Sequence, residues 1–462
     1  MDGEMAATLG QLLDAREARE VRQRALLAQY GHPLVSFTLN IAGPVKTGAL
    51  IERAFDEGLR LIAARCVPMR VEECRAVTGY EALLVVPGDA LALKRCSLRI
   101  EEADELGRLF DIDVVDTSGD KVSRAAVGSP ERRCLLCGEP AHACARSRAH
   151  GLEAVVARTR KILHAHFARR TADRAAELAT RALLLEVCAA PKPGLVDRLN
   201  SGTHRDMNIF TFLQSAAALT PYFRDCSLKG WASVGEACAP PDALLDRLVE
   251  PGLRAEEAML QATGGVNTHK GAIYSLGILC AAFGRIGAAG LDPTPEALCA
   301  LCGEMARPSV ERTLTRIAPE TASTAGEKLY ALHGLRGVRG EVADGFPSVR
   351  SFGLPAFSAA RAAGRSLNDA ATIALIHLIA HAEDTVLIAR AGIEAHARLQ
   401  TELRRALALN PYPDATFLTA LDRDFTARNL SPGGAADLLA VTLMLASLAE
   451  SDAGSNVESA RT

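Results

Sequence analysis

The spacing of apolar residues changes once along this chain, near residue 170, and this change limits the fold more than any other feature of the sequence. Residues 34–41 alternate between apolar and polar side chains, and residues 81–86 and 108–116 read as two further strands. From about residue 171 the apolar side chains recur at helical spacing instead, as they do over residues 178–188. The sequence therefore predicts two domains, an α+β first half and an all-α second half.

The boundary between the halves falls near a basic stretch, residues 158–170, which is predicted to be a connecting helix. The chain has 462 residues, too many for one ordinary core. No Gly/Ser-rich or Pro-rich linker separates the halves, so we expect closely coupled domains at 1–168 and 169–462. Aromatic residues make up only 4% of the chain, which favours closely packed helices in the second half. The predicted helices there include residues 208–219, 271–283 and 371–390.

Charge and hydropathy exclude several classes of partner. The formal net charge is −3, so the sequence implies no general affinity for nucleic acid or for an anionic membrane. No apolar run reaches the roughly 20 residues that span a bilayer, and the charged N-terminus lacks the apolar core of a signal peptide. We therefore expect a cytoplasmic protein. Its twelve cysteines are too sparse for a disulfide scaffold, so most should be buried thiols.

Asp111 and Asp113 lie on one side of the predicted strand 108–116, because side chains alternate faces along a strand. Two carboxylates beside an open cleft suit Mg²⁺, which prefers oxygen ligands and keeps part of its coordination sphere for substrate phosphates. Asp116 points to the opposite face. The alternative interpretation is a polar strand edge without a metal.

A cluster of soft ligands follows: Cys134, Cys137, His142 and Cys144, with His150 shortly after. A Cys-x-x-Cys turn is the usual first pair of a structural zinc site, and Cys₃His is a common ligand set. The spacing after Cys137 is not that of a standard finger, so reduced thiols without a metal and a redox or nucleophilic role are alternatives. A further alternative is a phosphate-binding loop, in which the neighbouring arginines would contact the phosphate.

Two consecutive loops of the second half carry charged side chains. Lys192 and Asp197 lie in a stretch with two prolines and a glycine after a predicted helix, and His204 and Asp206 follow closely. Proline fixes the backbone of such a loop, so these side chains would meet at the mouth of one pocket. A solvated loop has a similar composition.

A third loop, residues 264–271, is a glycine-rich turn that opens a predicted helix. Free backbone N–H groups at a helix start attract anions, and His269 and Lys270 lie beside them, so a polyphosphate is a natural occupant. The stretch is not a Walker loop, because it lacks both that spacing and a preceding strand.

Residues 334–341 form another loop rich in glycine and arginine. Arg336 and Arg339 would add bidentate phosphate contacts, and Glu341 is a candidate acid, base or ribose-binding group. Together these loops between apolar helices favour a nucleotide-handling active site.

His377 and His381 are one helical turn apart in the predicted helix 371–390. A metal pair is conceivable, but without the zincin glutamate the pattern favours surface or capping roles. Asp384 is the stronger functional candidate in this stretch.

The quoted stretches resemble two known families. Residues 31–46, 107–113 and 134–150 resemble the holo-citrate lyase synthases, which transfer phosphoribosyl-dephospho-CoA. Residues 191–197, 202–207, 265–271 and 334–341 resemble the triphosphoribosyl-dephospho-CoA synthases. The two resemblances cover most of the chain and imply a bifunctional fusion whose first domain is α+β and nucleotidyltransferase-like and whose second is all-α.

In the second half, the resemblance implies that the 2′-hydroxyl of 3′-dephospho-CoA displaces adenine from ATP. Such a displacement develops oxocarbenium-like charge, so carboxylates near the ribose and cations on the triphosphate are expected. The residues expected to bind the substrates are Lys192, His204, Asn267, His269, Lys270, Arg336 and Arg339. The carboxylates expected to act in metal binding or acid–base catalysis are Asp197, Asp206 and Glu341.

In the first half, the resemblance implies that a serine of the apo acyl-carrier subunit of citrate lyase attacks the α-phosphorus of that triphosphate and expels pyrophosphate. Asp111 and Asp113 would hold Mg²⁺, which lowers the cost of the developing charge. Lys46 and Arg108 would contact the phosphates. A malonate decarboxylase carrier has the same prosthetic group and is an alternative acceptor.

Two other functions are alternatives for this sequence. A zinc-knuckle binding module on a helical scaffold predicts a basic face with interleaved aromatics, which this near-neutral, aromatic-poor chain lacks. A nucleotide phosphohydrolase in the second half would be excluded by adenine release that requires dephospho-CoA.

Overall fold

The computed structural model describes residues 5–235, 240–317, 319–320, 322 and 324–459, so the outermost residues of the two predicted domains, 1–4 and 460–462, lie outside the described residues. The chain divides into two compact units, one ending at Phe167 and the other beginning at Ala168. Every strand assigned in the described residues belongs to the first unit, and helices predominate elsewhere. The prediction of a mixed first half and a helical second half is confirmed at this level.

The first unit is built around a four-stranded antiparallel sheet with the order β2-β3-β1-β4. Its elements in chain order are α1 (Leu9–Tyr30), β1 (Leu34–Leu39), α2 (Ala49–Cys66), β2 (Arg70–Ala76), β3 (Gly79–Val85), α3 (Ala90–Glu101), β4 (Phe110–Val115), α4 (Ala141–Ser147) and the first part of α5 (Leu152–Cys188). Within this sheet β4 pairs only with β1, so it is an edge strand.

The two faces of the sheet are covered differently. On one face Phe37 stacks on Phe55 of α2 with ring centroids 5.2 Å apart and meets Phe110 edge-on at 5.5 Å, which forms an aromatic core. On the other face Leu26 of α1 packs against apolar residues of β1, β3 and β4, among them Val115. Because successive side chains of β4 point to opposite faces, its polar residues Asp111 and Asp113 lie on the same face as Val115, the face that α1 covers.

The second unit is a helical assembly around one large apolar core. After the end of α5 its helices are α6 (Ile209–Gly235), α7 (Pro241–Ala262), α8 (Lys270–Ala288), α9 (Pro295–Leu314), α10 (Ala325–His333), α11 (Gly337–Ala343), α12 (Leu354–Ala362), α13 (Leu367–His381), α14 (Thr385–Ala391), α15 (Ile393–Leu409), α16 (Ala415–Ala427) and α17 (Gly433–Ser459). Helix α8 is long and apolar enough to cross a membrane, but 78% of its most apolar window is buried in the unit, as in a core helix.

Helices α6 and α8 approach so closely that glycine is required where they cross. A Cβ atom on Gly284 would lie 1.9 Å from the carbonyl oxygen of Ser227, and one on Gly230 would lie 1.9 Å from that of Ala281. The crossing therefore brings two backbones into direct contact, which fixes the start of α8 relative to α6.

The prediction of one continuous helix over residues 371–390 is wrong. Helix α13 ends at His381, and α14 begins at Thr385 with a bend of 63°. Asp384 accounts for the break, because its Oδ1 accepts hydrogen bonds from the N–H groups of Val386 and Leu387 and so caps a new helix.

Candidate functional site

Asp111 and Asp113 lie on the face of the sheet that α1 covers. They pair across β1 with Thr38 and Ser36 respectively, and both are accessible to solvent. The same face carries the buried Glu81, which forms ion pairs with arginines of α1. The carboxylates therefore lie at an open, charged edge of the sheet.

Cationic groups surround this pair of carboxylates. Lys121 Nζ lies 2.7 Å from Asp113 Oδ2, and Arg132 Nη1 lies 3.4 Å from Asp111 Oδ1. Arg19 of α1, which pairs with Glu81 at 2.6 Å, is close enough to feel the attraction of both carboxylates. The cations and carboxylates together could hold a triphosphate with its metal ion.

The other predicted residues of the first unit have different partners. Arg108 Nη2 donates to the carbonyl of Arg133 at 2.8 Å, and Lys46 Nζ donates to the carbonyl of Ile41. Burial lowers the pKa of Lys46. Asp116 caps a turn by accepting from the backbone and hydroxyl of Ser118, so its carboxylate is already used locally.

The thiols of Cys134, Cys137 and Cys144 and the ring of His150 come together, with one ligand atom from each within 4.8 Å of all the others. The structure does not bring the predicted ligand His142 into this group. His142 is exposed, and its Nδ1 lies 3.4 Å from the carboxylate of Glu131.

In the second unit the predicted loops all contribute residues to the lining of one cavity of about 620 Å³. Of the predicted residues, the cavity lining includes Lys192, His204, Asp206, Asn267, His269, Lys270 and Glu341. Its remaining charged lining residues are Glu186, Arg205, Glu383, Arg390 and Asp437. A pocket of this volume is in the usual range for cofactor sites.

The cavity wall holds a carboxyl pair that the sequence analysis did not identify. Buried Glu186 forms an ion pair with Lys192, which is 1% exposed. Burial raises the pKa of Glu186, although Lys192 opposes the shift. Burial and the neighbouring Glu186 raise the pKa of Asp437 well above its ordinary value. Burial and mutual repulsion therefore favour a protonated form of this carboxyl pair.

Asp437 contacts the start of α8 directly. A Cβ atom on Gly271 would lie 2.0 Å from Asp437 Oδ2, so only glycine leaves room for the carboxyl group. The N–H of Ala272 donates to the same carboxyl group. The glycine-rich loop thus contacts the carboxyl group of Asp437, in addition to presenting N–H groups to an anion.

His269 is buried in the wall of the cavity as a neutral ring. Burial lowers its pKa to about 3, with a further contribution from Lys192. Thr268 Oγ1 donates to Ser215 Oγ at 2.8 Å, so the Ser215 proton is free to go to His269 Nδ1 at 2.7 Å. The ring proton is then on Nε2, which is buried and has no hydrogen-bond partner among the described residues. His269 can donate one hydrogen bond to a bound substrate.

Asp197 and Glu341 have local partners. Asp197 is buried and accepts from the N–H groups of Lys192, Leu199 and Asn200 at 2.7–3.0 Å, which shapes the loop that carries Lys192. Glu341 lines the cavity and accepts from Ser348, and burial raises its pKa.

Arg336 and Arg339 are not part of the cavity lining. Arg336 pairs with Asp344, and Arg339 lies 4.0 Å from Glu327. The cations that do line the cavity near its His204 loop include Arg390, whose Nη1 donates to Thr203 at 3.1 Å.

Some of these residues carried a signal in the sequence and some did not. Asp437 and Glu186 sit in apolar helices where a lone acid is unusual, and that anomaly is a usable signal. Arg390 and Arg132 carry none, because exposed arginines are common.

The histidines of α13 make local contacts: His381 Nδ1 donates to the carbonyl of His377 at 2.8 Å, and its ring stacks on Phe352.

Comparison with known proteins covers both units. A family model described as apo-citrate lyase phosphoribosyl-dephospho-CoA transferase matches residues 7–166, and one described as ATP:dephospho-CoA triphosphoribosyl transferase matches residues 172–456. Protein CitXG of Haemophilus influenzae is 36% identical in a 456-residue alignment that covers 95% of this chain and 96% of the relative. Protein CitXG of Leuconostoc mesenteroides subsp. cremoris is 32% identical over 97% of this chain and 98% of its own. The probable 2-(5''-triphosphoribosyl)-3'-dephosphocoenzyme-A synthase of Albidiferax ferrireducens is 43% identical over 59% of this chain and 90% of its own.

Proposed function

We propose a division of labour between the two units of this chain, which belongs to the family of CitXG proteins, fusions of the two transferases. The protein is a bifunctional transferase that makes and attaches the prosthetic group of citrate lyase. In our proposal a domain at 169–462 consumes ATP and 3′-dephospho-CoA, and a nucleotidyltransferase-like domain at 1–168 modifies the apo acyl-carrier subunit in the cytoplasm.

In the synthase domain the 2′-hydroxyl of dephospho-CoA forms a bond to C1′ of the ATP ribose, while the bond from C1′ to adenine breaks. The hydroxyl loses a proton and adenine gains one, so the reaction needs a base and an acid. The acid–base pair of the cavity carries this proposal. The raised pKa of Asp437 favours its protonated form, and Glu186 forms a buried ion pair with Lys192, which opposes the effect of burial on the pKa of Glu186.

We assign proton donation to adenine to Asp437 and proton acceptance from the 2′-hydroxyl to Glu186. His269 donates a hydrogen bond from its Nε2–H group to a substrate oxygen, since as a neutral ring it cannot act as a phosphate-binding cation. Asp206 is an exposed lining residue of the cavity and would hold Mg²⁺ on the triphosphate, and Lys270 and Arg390 are further cations of the same lining.

A change of leaving group tests the role of Asp437. Asp437→Asn should lower adenine release from ATP by about 100-fold or more, the usual contribution of an acid or base. With a ribosyl triphosphate that carries nicotinamide, which leaves as a neutral molecule without a proton, the variant should recover most of the wild-type rate. Glu186→Gln should lose activity on both donors, because the hydroxyl must be deprotonated in either case. Equal loss by Asp437→Asn on both donors would exclude Asp437 as the acid.

In the transferase domain the hydroxyl oxygen of a carrier serine attacks the α-phosphorus of the triphosphate, the hydroxyl proton is released, and pyrophosphate leaves with the electrons of the broken P–O bond. Asp111 and Asp113 would hold Mg²⁺, which would lower the cost of the developing charge, and Arg19, Lys121 and Arg132 would neutralise the remaining charge. Of the other predicted phosphate contacts, Arg108 directly precedes β4 and Lys46 lies in the loop between β1 and α2.

Mass spectrometry of the carrier tests this assignment. Replacement of both Asp111 and Asp113 by Asn should abolish the mass increase of the apo carrier while adenine release continues. Incubation with apo carriers of citrate lyase and of a malonate decarboxylase, in the presence of ATP, dephospho-CoA and Mg²⁺, should modify the citrate lyase carrier. Modification of only the malonate decarboxylase carrier would overturn the choice of partner.

A further inference from the structure

The segment between β4 and α5 folds around four side chains that ligate soft metals. A tight turn joins Cys134 to Glu139, whose carbonyl accepts from the Cys134 N–H at 2.6 Å, and Gly138 in this turn has φ +76°. The short helix α4 then presents Cys144. Arg148 ends this helix in the left-handed conformation, and His150 follows. Backbone geometry rather than an apolar core brings the four residues together, since none of them is buried.

The distances between the ligand atoms fit a tetrahedral zinc ion. Cys137 Sγ lies 3.4 Å from Cys144 Sγ and 3.2 Å from His150 Nε2. Sulfur and nitrogen ligands at about 2.3 and 2.0 Å from zinc are about 3.5 to 3.8 Å from each other in a tetrahedron. The thiols are free rather than paired in a disulfide.

The turn is also preorganised for a thiolate. The N–H of Leu136 donates to Cys134 Sγ at 3.4 Å, and the N–H of Cys137 points to the same sulfur. Donors aimed at the first sulfur of a Cys-x-x-Cys turn stabilise its ionised, metal-binding form.

We propose that Cys134, Cys137, Cys144 and His150 bind one structural zinc ion that fastens the 128–151 segment to the edge of β4. The site is closed, because four protein ligands leave no open position for a substrate. His150, rather than His142, is the fourth ligand.

Hydrogen bonds connect this zinc site to the carboxylates of the transferase domain. The carbonyls of Arg133 and Cys134 accept from Arg108 at 2.8 and 3.4 Å. Arg132 donates to the carbonyl of Phe110 at 2.8 Å and lies beside Asp111. A metal that fixes Cys134 therefore fixes Arg132 against β4. The metal site stands without the proposed function, but its effect on carrier modification rests on that function.

Elemental analysis of full-length protein purified from zinc-supplemented cells tests the ligand set. Wild type should carry about one zinc ion per chain, as a closed four-ligand site requires. Cys137→Ser and His150→Ala should lose the metal, whereas His142→Ala, an exposed histidine of the same segment, should retain it. Zinc retained by His150→Ala, or absent from wild type, would overturn the proposal.

Cobalt titration of the wild-type protein tests the same ligand set without a variant, and so does not depend on whether the cysteine variant folds. Wild type stripped of metal under reducing conditions should bind one Co²⁺ and show thiolate-to-metal charge transfer with the strong visible bands of a tetrahedral site. Weak octahedral bands would contradict the Cys₃His set.

Limited trypsin digestion tests the fastening role. Metal removal should speed cleavage at the arginines of residues 128–151 and leave cleavage in the second unit unchanged. In dilute solution the stripped protein should still release adenine but modify the carrier poorly. Cleavage that is insensitive to the metal would show that zinc does not hold this segment.

Discussion

The residues that set the chemistry of the second unit are ionisable groups removed from water. Lys192 and Glu186 form a buried pair, and Asp437 and His269 share the same cavity wall. Burial favours the neutral form of an unpaired group, so it raises the pKa of Asp437 and lowers that of His269 to about 3. Asp437 is thereby shifted towards a protonated form that an exposed aspartate does not hold at neutral pH, and His269 stays neutral even in mild acid.

A pH dependence of stability follows from Asp437. Because its pKa is raised in the folded protein, the folded chain binds more protons than the unfolded chain at every pH between the ordinary Asp value of about 4 and the raised value. The free energy of unfolding contributed by this residue therefore falls as pH rises through that interval. Asp437→Asn does not titrate, so its melting temperature relative to wild type should increase from pH 5 to pH 8. Scanning calorimetry of both full-length proteins checks this, and a difference that does not vary with pH would contradict the raised pKa.

Gly271→Ala tests the position of the same carboxyl group without changing any charge. The added methyl group would lie 2.0 Å from Asp437 Oδ2, so the carboxyl group must move. A shift of about 1 Å in a reacting group costs on the order of 100-fold in rate, and adenine release should fall accordingly. Gly326→Ala, where the new Cβ meets nothing within 4 Å, is the matched control and should retain full activity.

At the scale of elements, the crossing of α6 and α8 holds α8, whose first residues line the cavity, against α6. Gly284→Ala would force its Cβ to 1.9 Å from the Ser227 carbonyl and push the two helices apart. Overpacking of this kind costs about 1 to 3 kcal/mol, so the melting temperature of the second unit should fall by several degrees.

The control for this change is another glycine within a helix. Gly252→Ala in α7 meets only the Tyr222 hydroxyl, at 3.8 Å, and should be neutral or stabilising by about 0.5–1 kcal/mol, because alanine favours a helix. Thermal unfolding followed by circular dichroism distinguishes the two. Similar melting temperatures for both variants would show that the helices can separate without cost.

The elements that sequence analysis predicted are those with a strong local pattern. Strand β4 alternates between buried apolar residues and accessible aspartates, as its period of two required. Strand β2 was missed because its pattern is mostly polar: Arg70 and Val71 are exposed, and the strand covers no core. Helix α1 was missed because most of its surface is charged and only Leu26 is buried.

The candidate site was predictable only in part, for a physical reason. Loops that contain glycine, lysine and histidine can be recognised in the sequence because their backbone requires particular residues. Lys192 and His269, which were predicted in this way, do line one cavity. Glu186 and Asp437 come from helices at opposite ends of the second unit's sequence, and only tertiary packing brings them together. The sequence predicted His142 where the structure places His150, again because three-dimensional structure decides the neighbours. The left-handed backbone at Arg148 turns the chain so that His150 reaches the thiols.

At the scale of the whole molecule, the two reactions should be separable. A synthase relative matches 59% of this chain along 90% of its own length, so its chemistry exists in a protein that lacks the rest. Full-length protein with both Asp111 and Asp113 changed to Asn should therefore complement full-length Asp437→Asn in one mixture. The first variant makes the triphosphate, and the second transfers it.

Mass spectrometry of the carrier checks this complementation. Each variant alone should leave the carrier unmodified, and the mixture should modify it at a rate that rises with the concentration of either variant. Adding purified triphosphate to Asp437→Asn alone should give the same product. A mixture that stays inactive while added triphosphate is used would mean that the intermediate does not leave the protein that makes it.

The covering of β4 has a consequence for handling the protein. The outer backbone groups of this edge strand are occupied by Arg132, which donates to Phe110, and by Val122, whose N–H donates to the carbonyl of Val114 at 2.8 Å. An uncovered edge strand is a template for another strand. Preparations exposed to strong chelators, or expressed in zinc-poor medium, should therefore self-associate through their sheets as their concentration rises, and metal supply during expression would govern yield as much as activity.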